Sequence, residues 1–382
     1  MQKYDIAAFV WPSYTGTEAR SRLFWPEGIG EWQTVKNEKR DYPEFSPLRQ
    51  PLWGYVDEAD PSVMEMQINA AADHGVNVFI YDWYWYDGRP FLENCLNDGF
   101  LKAKNNRRMQ FYLMWANHDV NYCWDVRNSA APWGQELIWS GMADEKQFDI
   151  ISDRLVEKYF CHPQYYRIGG KPVFMIYDLK NLIAGLGGME NTRRKLDTLR
   201  EKCAKAGLPG LHLQICQWGD NIENFSGVDS NTDLGSAHTS QIATALGFDS
   251  ASNYQFVHFT DVNRDYGEIL ADVIPIWQRF YDLYGGNYFP HVSLGWDNNL
   301  RFRKFKPKIV KNNTPEAVEE AFRAAKHFVD THELPAPLIT VNSWNEWTEG
   351  SYLHPDDLYG YGYLEAIRRV FLEEEGSRGG KV

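Results

Sequence analysis

The sequence predicts a single (β/α)8 barrel. Eight short apolar runs alternate with amphipathic stretches, and no Pro/Gly/Ser-rich linker divides them. At 382 residues the length suits either one large barrel or two smaller domains. Apolar residues make up 43%, enough for a full core, so the composition argues against global disorder.

The runs read as strands over Tyr4–Val10, Val76–Trp83, Gln110–Trp115, Pro172–Tyr177, Leu211–Gln217, Ser250–Tyr254, Tyr288–Leu294 and Leu338–Ser343. Runs that are apolar throughout, rather than alternating, fit strands covered on both faces of a parallel sheet. Helices are expected over Ser62–His74, Arg89–Lys104, Asp144–Phe160, Glu190–Ala206, Thr239–Leu246, Tyr266–Tyr284, Pro315–Thr331 and Tyr363–Glu375. Asp60-Pro61 and Thr314-Pro315 supply a cap residue followed by proline in the first turn. A doubly wound sheet would also alternate, but would be expected to carry a glycine-rich phosphate loop after its first strand. Trp11-Pro12-Ser13-Tyr14 stands there instead. Residues 13–60, rich in Trp, Pro and Glu, read as a lid-like insertion between the first strand and the first helix. The barrel is expected to span residues 1–375, with a disordered tail over Gly376–Val382.

A net charge of −13 argues against a nucleic-acid partner, which calls for clustered Lys and Arg. The one basic run, Arg301 to Lys311, reads as a solvated loop. Five scattered cysteines (Cys95, Cys123, Cys161, Cys203 and Cys216) show no zinc-type spacing and fit reduced thiols in a cytosol. The short apolar run Ile6–Val10 lacks a basic lead and is too short for a signal peptide or membrane span. A cytoplasmic location, no metal and no cofactor are therefore expected. Aromatics at 15%, with 15 Trp and 22 Tyr, exceed what a core needs and suit a cleft lining.

A barrel concentrates function at the carboxyl ends of its strands. The candidate ends carry Trp11, Tyr81-Asp82-Trp83-Tyr84-Trp85-Tyr86, Trp115-Ala116-Asn117-His118, Tyr177-Asp178, Gln217-Trp218, Asn253-Tyr254, Trp296-Asp297-Asn298 and Trp344-Asn345-Glu346. An aromatic ring beside an amide, carboxylate or imidazole at nearly every end describes a cleft for a sugar. Rings stack on apolar sugar faces while polar groups bridge hydroxyls. Structural readings compete: Asp82 and Asp178 suit turn caps, His118 a hydrogen-bonded structural histidine, and Asn298 and Gln217 loop braces. The block Trp344-Asn345-Glu346-Trp347-Thr348-Glu349-Gly350 is more specific. It places two carboxylates between two indoles at a strand end, an arrangement that can set one acid and one base at neutral pH. Glu346 and Glu349 are the expected catalytic pair. Trp11, Asp82, Trp83, Trp85, Asn117, His118, Gln217, Trp218, Tyr254, Trp296, Asp297, Asn298, Trp344, Asn345 and Trp347 are the expected substrate contacts.

On Tyr81-Asp82-Trp83-Tyr84-Trp85, Trp115-Ala116-Asn117, Gly295-Trp296-Asp297-Asn298 and the block Trp344 to Asp356, nearly the whole chain resembles the glycoside hydrolase family 99-like group. This group is also called the WbsX-like domain and often carries a glycosyltransferase label. In family 99 proper, endo-acting α-mannosidases and α-mannanases, an Asn-Glu-Trp-x-Glu-Gly motif supplies both carboxylates. The resemblance implies that Glu346 deprotonates the sugar 2-hydroxyl. It implies that Glu349 protonates the leaving oxygen and later activates water. Ser351-Tyr352-Leu353-His354 departs from the Thr-Gln-Ile-Glu type that follows in family 99, and His354 stands where WbsX-like members usually carry Glu. Carboxylates three residues apart tend to lie on one side of a sugar and are poorly placed to flank its anomeric carbon, which suits participation by the 2-hydroxyl. The expected function is retaining hydrolysis of α-manno- or α-rhamno-configured glycosidic bonds in an oligo- or polysaccharide. The alternatives are glycosyl transfer, which usually needs an Asp-x-Asp pair or a phosphate loop, and a non-catalytic carbohydrate-binding barrel.

Overall fold

A computed structural model describes residues 3–38, 49–127, 131, 133–218 and 239–373. Eight parallel strands form the barrel: β1 (Asp5–Val10), β2 (Val78–Tyr86), β3 (Gln110–Trp115), β4 (Lys171–Ile176), β5 (His212–Cys216), β6 (Ser250–Ser252), β7 (His291–Ser293) and β8 (Leu338–Asn342). Their order around the sheet is β6-β5-β4-β3-β2-β1-β8-β7. The register runs Ala7 against Val78 and Thr340, and Thr340 against His291. The β6–β7 seam is bridged by Ala251 and Tyr288, where the Ala251 and Phe289 amides donate across at 2.9 Å each. The strands are the eight expected, although β6 and β7 are shorter than their apolar runs.

The helices are α1 (Trp32–Lys36), α2 (Pro61–Asp73), α3 (Glu145–Arg154), α4 (Leu179–Gly185), α5 (Met189–Lys205), α6 (Thr239–Ala245), α7 (Tyr266–Leu283), α8 (Pro315–Thr331) and α9 (Gly362–Arg368). Their starts follow from local chemistry. Asp60 accepts the Ser62 amide at 2.8 Å ahead of Pro61, and Thr314 accepts that of Ala317 at 3.3 Å ahead of Pro315. The expected helix over Arg89–Lys104 is a correction. Asp87 and Gly88 both take positive φ (54° and 72°), and Arg89–Phe91 folds back as a strand against Tyr84–Tyr86. A two-residue Asp-Gly connection is a hairpin turn, and it overrides the helical pattern. Only short turns of π- and 3-10-helix follow, over Cys95–Gly99 and Phe100–Lys102.

The barrel interior is not wholly apolar. On its β5–β8 side, Ser252 Oγ lies 2.7 Å from Thr340 Oγ1, His291 bonds both Thr340 and Ser293, and His212 bonds Ser250. These buried polar groups satisfy one another, so they incur little desolvation cost. The described parts of the insertion pack over the end where β1 and β8 finish. Tyr14 lies against Trp32 at 4.1 Å between ring centres, and Trp32 against Trp347 at 5.8 Å. Residues 39–48 of the insertion and the Gly376–Val382 tail lie outside the described residues. Among the described residues no helix is long and apolar enough to cross a membrane, and no cluster of His, Cys, Asp and Glu could hold a metal ion.

Candidate active site

Glu346 and Glu349 lie on the chain leaving β8. Asn345 stitches this segment to the end of β1: its Oδ1 accepts from the Trp11 amide at 2.8 Å and its Nδ2 donates to the Trp11 carbonyl at 2.9 Å. The Glu346 amide donates to Ser343 Oγ at 2.7 Å. Trp347–Glu349 form one 3-10 turn, which Gly350 ends at φ 63°. A Cβ at position 350 would stand 3.2 Å from the Asp297 amide nitrogen, and that amide donates to the Glu349 carbonyl at 2.7 Å. Backbone from the β7 end thus fixes the orientation of the second glutamate.

Both glutamates face a cavity of about 290 Å3. Tyr84, Met114 and Ala116 form part of its wall, with Trp11, Trp124, Tyr177 and Trp218 around them. Arg301, partly buried, spans the carboxyl pair. Its Nη1 donates to Glu349 Oε1 at 2.7 Å, and its Nη2 to Glu346 Oε2 at 3.2 Å. Its Nε donates to Glu31 Oε1 at 2.9 Å, bringing in a fully buried carboxyl from the insertion. Gly30 makes this approach possible: at φ 60°, a Cβ there would fall 1.7 Å from the Ser13 carbonyl oxygen. The Trp11 indole N–H also donates to Glu31. On the other side, Tyr254 Oη lies 3.0 Å from both Glu346 Oε1 and Asp82 Oδ2.

Burial dominates the electrostatics. It pushes the Glu346 carboxyl well above the usual range, helped by the charge of Glu349 and opposed by Arg301. Burial raises Glu349 as well, again against the pull of Arg301. Burial and mutual repulsion therefore both favour a proton shared between the two glutamates. Hydrogen bonding decides its position. Glu346 meets a donor on each oxygen, which favours its carboxylate. Glu349 Oε2 is buried without a protein partner among the described residues and is the open site for a proton.

The expected site residues divide by strand alternation. Trp11, Asp82, His118, Trp218, Tyr254, Glu346 and Glu349 line the cavity. Trp83 and Trp85 do not. They point to the opposite face of β2, where their indoles donate to Glu93 at 2.8 Å and Gln147 at 3.0 Å, while Tyr84 takes the cavity side. Asn117 accepts the Asp178 amide and donates to its carbonyl, and Gln217 accepts from Tyr284 Oη at 2.5 Å; both brace loops. Asp297 accepts from the Asn299 amide, Asn298 immediately precedes the short turn Asn299–Arg301 without a capping side-chain bond, and Trp296 is not part of the cavity lining. Trp344 is buried against Phe79 with its indole on Gln67. Trp347 stacks on Tyr352 at 3.7 Å. The indoles beside the glutamates are thus support, and the cavity wall comes from other strands.

Sequence reading missed Arg301, Glu31, Tyr84 and His258. The Arg301–Lys311 run is not wholly solvated, since Ile309 and Val310 are buried and the Arg301 side chain is only 11% exposed. His258 stacks on Trp218 at 4.2 Å and 7° and is driven by burial down to about 4, so it serves as a neutral ring. His118 is likewise held neutral by burial and donates from Nδ1 to the Asp119 carbonyl, 2.9 Å away.

The structure is thus of the (β/α)8 barrel class, with a carboxyl pair in an aromatic cavity at its strand ends. The chain belongs to the family described as glycosyltransferase WbsX, whose model matches residues 6–367. It is 26% identical over 352 residues to an uncharacterized protein, WxcX, of Xanthomonas campestris pv. campestris, a match covering 91% of this chain and 47% of the relative. The chain thus spans about half the length of the curated relatives it matches. Among solved structures it is similar to a glycoside hydrolase-like protein (14% identity, TM-score 0.60, 97% and 94% of the two chains). It is also similar to the GH99 endo-alpha-mannosidase of Bacteroides thetaiotaomicron (15% identity, TM-score 0.55, 98% of each). At such identities the likeness is one of fold.

Proposed function

We propose that this barrel is a retaining glycoside hydrolase acting on α-manno- or α-rhamno-configured residues of an oligo- or polysaccharide. The observation that carries the reading is the placement of Glu346 and Glu349 on one guanidinium at the cavity wall, with Glu349 Oε2 buried and without a protein partner among the described residues. A shared guanidinium keeps both carboxyls on one side, so neither is positioned to attack the anomeric carbon from behind while the other protonates the departing oxygen. A base acting on the 2-hydroxyl removes that difficulty. Glu346 takes the 2-hydroxyl proton, O2 attacks C1, and the C1–oxygen bond to the leaving group breaks as Glu349 gives its proton to the departing oxygen. Glu349 then takes a proton from the water that opens the 1,2-anhydro ring at C1, and Glu346 returns its proton to O2. Two displacements at C1 preserve the anomeric configuration.

The requirement is a free 2-hydroxyl trans to the leaving group. Proton NMR of the freshly released sugar tests it: retention is expected, and a 2-O-methyl analogue should bind without turnover. Initial inversion, or cleavage of the 2-O-methyl analogue, rejects the mechanism. The family description favours transfer as a second reading. Incubation with a nucleotide sugar and an acceptor, beside simple glycosides, separates the two. The insertion, through Glu31 and Trp32, is proposed as a wall of the sugar site rather than a separate domain.

A further inference from the structure

Tyr254 has one hydroxyl proton and two carboxyl neighbours, Asp82 Oδ2 and Glu346 Oε1, each 3.0 Å from its oxygen. A phenol can donate to only one of them. At that distance the other contact needs a proton of its own. The surroundings decide which carboxyl supplies it. Glu346 is met by the Arg301 guanidinium. Among the described residues Asp82 is met by no cation, and its buried Oδ1 has no hydrogen-bond partner. The groups facing Asp82 are acids, from β2, β5, the ends of β4 and β6 and the loop after β8: Tyr84, Tyr86, Tyr177, Cys216, Tyr254, Glu346 and Glu349. The carboxylates of Glu346 and Glu349 would disfavour a negative charge on Asp82, the neutral phenols and thiol bring no positive charge to offset it, and only the Tyr254 hydroxyl, as a donor, would favour it.

We propose that Asp82 is a neutral carboxylic acid at neutral pH, donating through Oδ2 to Tyr254 so that the tyrosine proton points at Glu346 and holds it as the carboxylate base. Burial, which raises Asp82 well above the usual carboxylate range, acts in the same direction. Asp82 is thus a positioning residue that works through Tyr254. Its acidity sets an upper pH for the site. Once Asp82 loses its proton, the Tyr254 hydroxyl is drawn to the new charge and Glu346 loses a donor. This role rests on the hydrolase reading, whereas the protonation of Asp82 does not.

Infrared spectra of the wild type and Asp82→Asn at neutral pH test the protonation directly. One protonated-carboxyl band should vanish in the variant, and an unchanged band intensity overturns the proposal whether or not any sugar is cleaved. Kinetics with an α-mannosyl or α-rhamnosyl fluoride, whose departure needs no acid, tests the role. The introduced amide can donate to Tyr254 as the acid does, so Asp82→Asn should keep kcat within about fivefold of wild type and lose the alkaline limb of the pH profile. A loss as large as that of Glu346→Gln means that Asp82 acts as a carboxylate, and overturns the proposal. Tyr254→Phe provides an independent arm should Asp82→Asn fold poorly. It removes a donor from Glu346, so the acidic limb of kcat/KM should move to higher pH, and an unmoved limb contradicts the relay.

Discussion

Two buried carboxyl clusters share the segment leaving β8, and they contrast sharply. In the first, Glu346 and Glu349 meet Arg301, Glu31 and Tyr254 at the wall of an open cavity. In the second, on the far side of Asn345, Glu58 is fully buried and receives only amides and a thiol. Gln67 Nε2 donates at 3.1 Å, Asn345 Nδ2 at 2.9 Å, and Cys95 Sγ lies 3.7 Å away. Burial lifts Glu58 to about 8, and it pushes the neighbouring His354 down to about 3. His354 Nδ1 accepts the Trp347 indole proton at 3.2 Å, as a neutral ring does. The second cluster therefore resolves its burial by neutralising every member. Burial alone perturbs acidity in both. What sets the first cluster apart is a cation that keeps part of the charge and a carboxyl oxygen without a protein partner among the described residues, beside a cavity.

The largest expected effect breaks the first cluster at its base. Glu346→Gln should lower kcat/KM by about 10²- to 10⁴-fold on every substrate, including a glycosyl fluoride. Glu349→Gln should lose comparably on poor leaving groups but recover its first step with the fluoride. Equal rescue of both variants reverses the assigned roles.

Next is Arg301→Met, which leaves Glu31, Glu346 and Glu349 without their shared cation. Removing one partner from a buried ion cluster should cost about 3–5 kcal/mol, measured by urea unfolding at pH 7. The deficit should shrink on acidification as the orphaned carboxyls take up protons. A deficit independent of pH contradicts the ionic account of this cluster.

Glu58→Gln sharpens the contrast from the other side. Its folded-state pKa is raised, so the wild type holds the associated stability fully below about pH 4.5 and loses it as pH rises through about 8. At about 1.4 kcal/mol per pKa unit the loss amounts to a few kcal/mol. The Gln variant lacks that titration and should be the more stable protein at pH 8.5, as read from thermal melts across pH. Parallel melting curves from pH 4.5 to 8.5 would falsify the neutral state of Glu58.

The smallest effect tests strand alternation. Trp85→Phe removes one indole hydrogen bond to Gln147 and should cost about 1 kcal/mol of stability while leaving KM unchanged. A raised KM would put Trp85 in the sugar site.

The barrel was legible because each strand is an apolar run bounded by turn residues, and because a missing phosphate loop distinguished it from a doubly wound sheet. The glutamate pair was legible because two carboxyls at a strand end between indoles have little structural use. The rest was hidden for physical reasons. Glu31 sits in a segment with no hydrophobic period, and its role depends on Gly30 admitting a close backbone approach across the fold. Arg301 opens a basic run, and nothing local distinguishes a cation that will be buried from one that stays in water. Trp83 and Trp85 attract attention by composition, yet the two-residue period of β2 gives the cavity to Asp82 and Tyr84. The Asp87-Gly88 turn is a legible hairpin signal that the helical pattern after it obscures.

The stitch between Trp11 and Asn345 joins residues 334 positions apart, and the Glu31–Arg301 contact spans 270. The first strand of the barrel is thus completed by the eighth. Until β8 pairs with it, β1 offers an apolar edge with unpaired amides. Such long loop closures are slow, and a chain waiting on them is exposed to misassociation. Assembly of the cleft and closure of the barrel are therefore one late event, and a truncated chain lacking β8 loses both together.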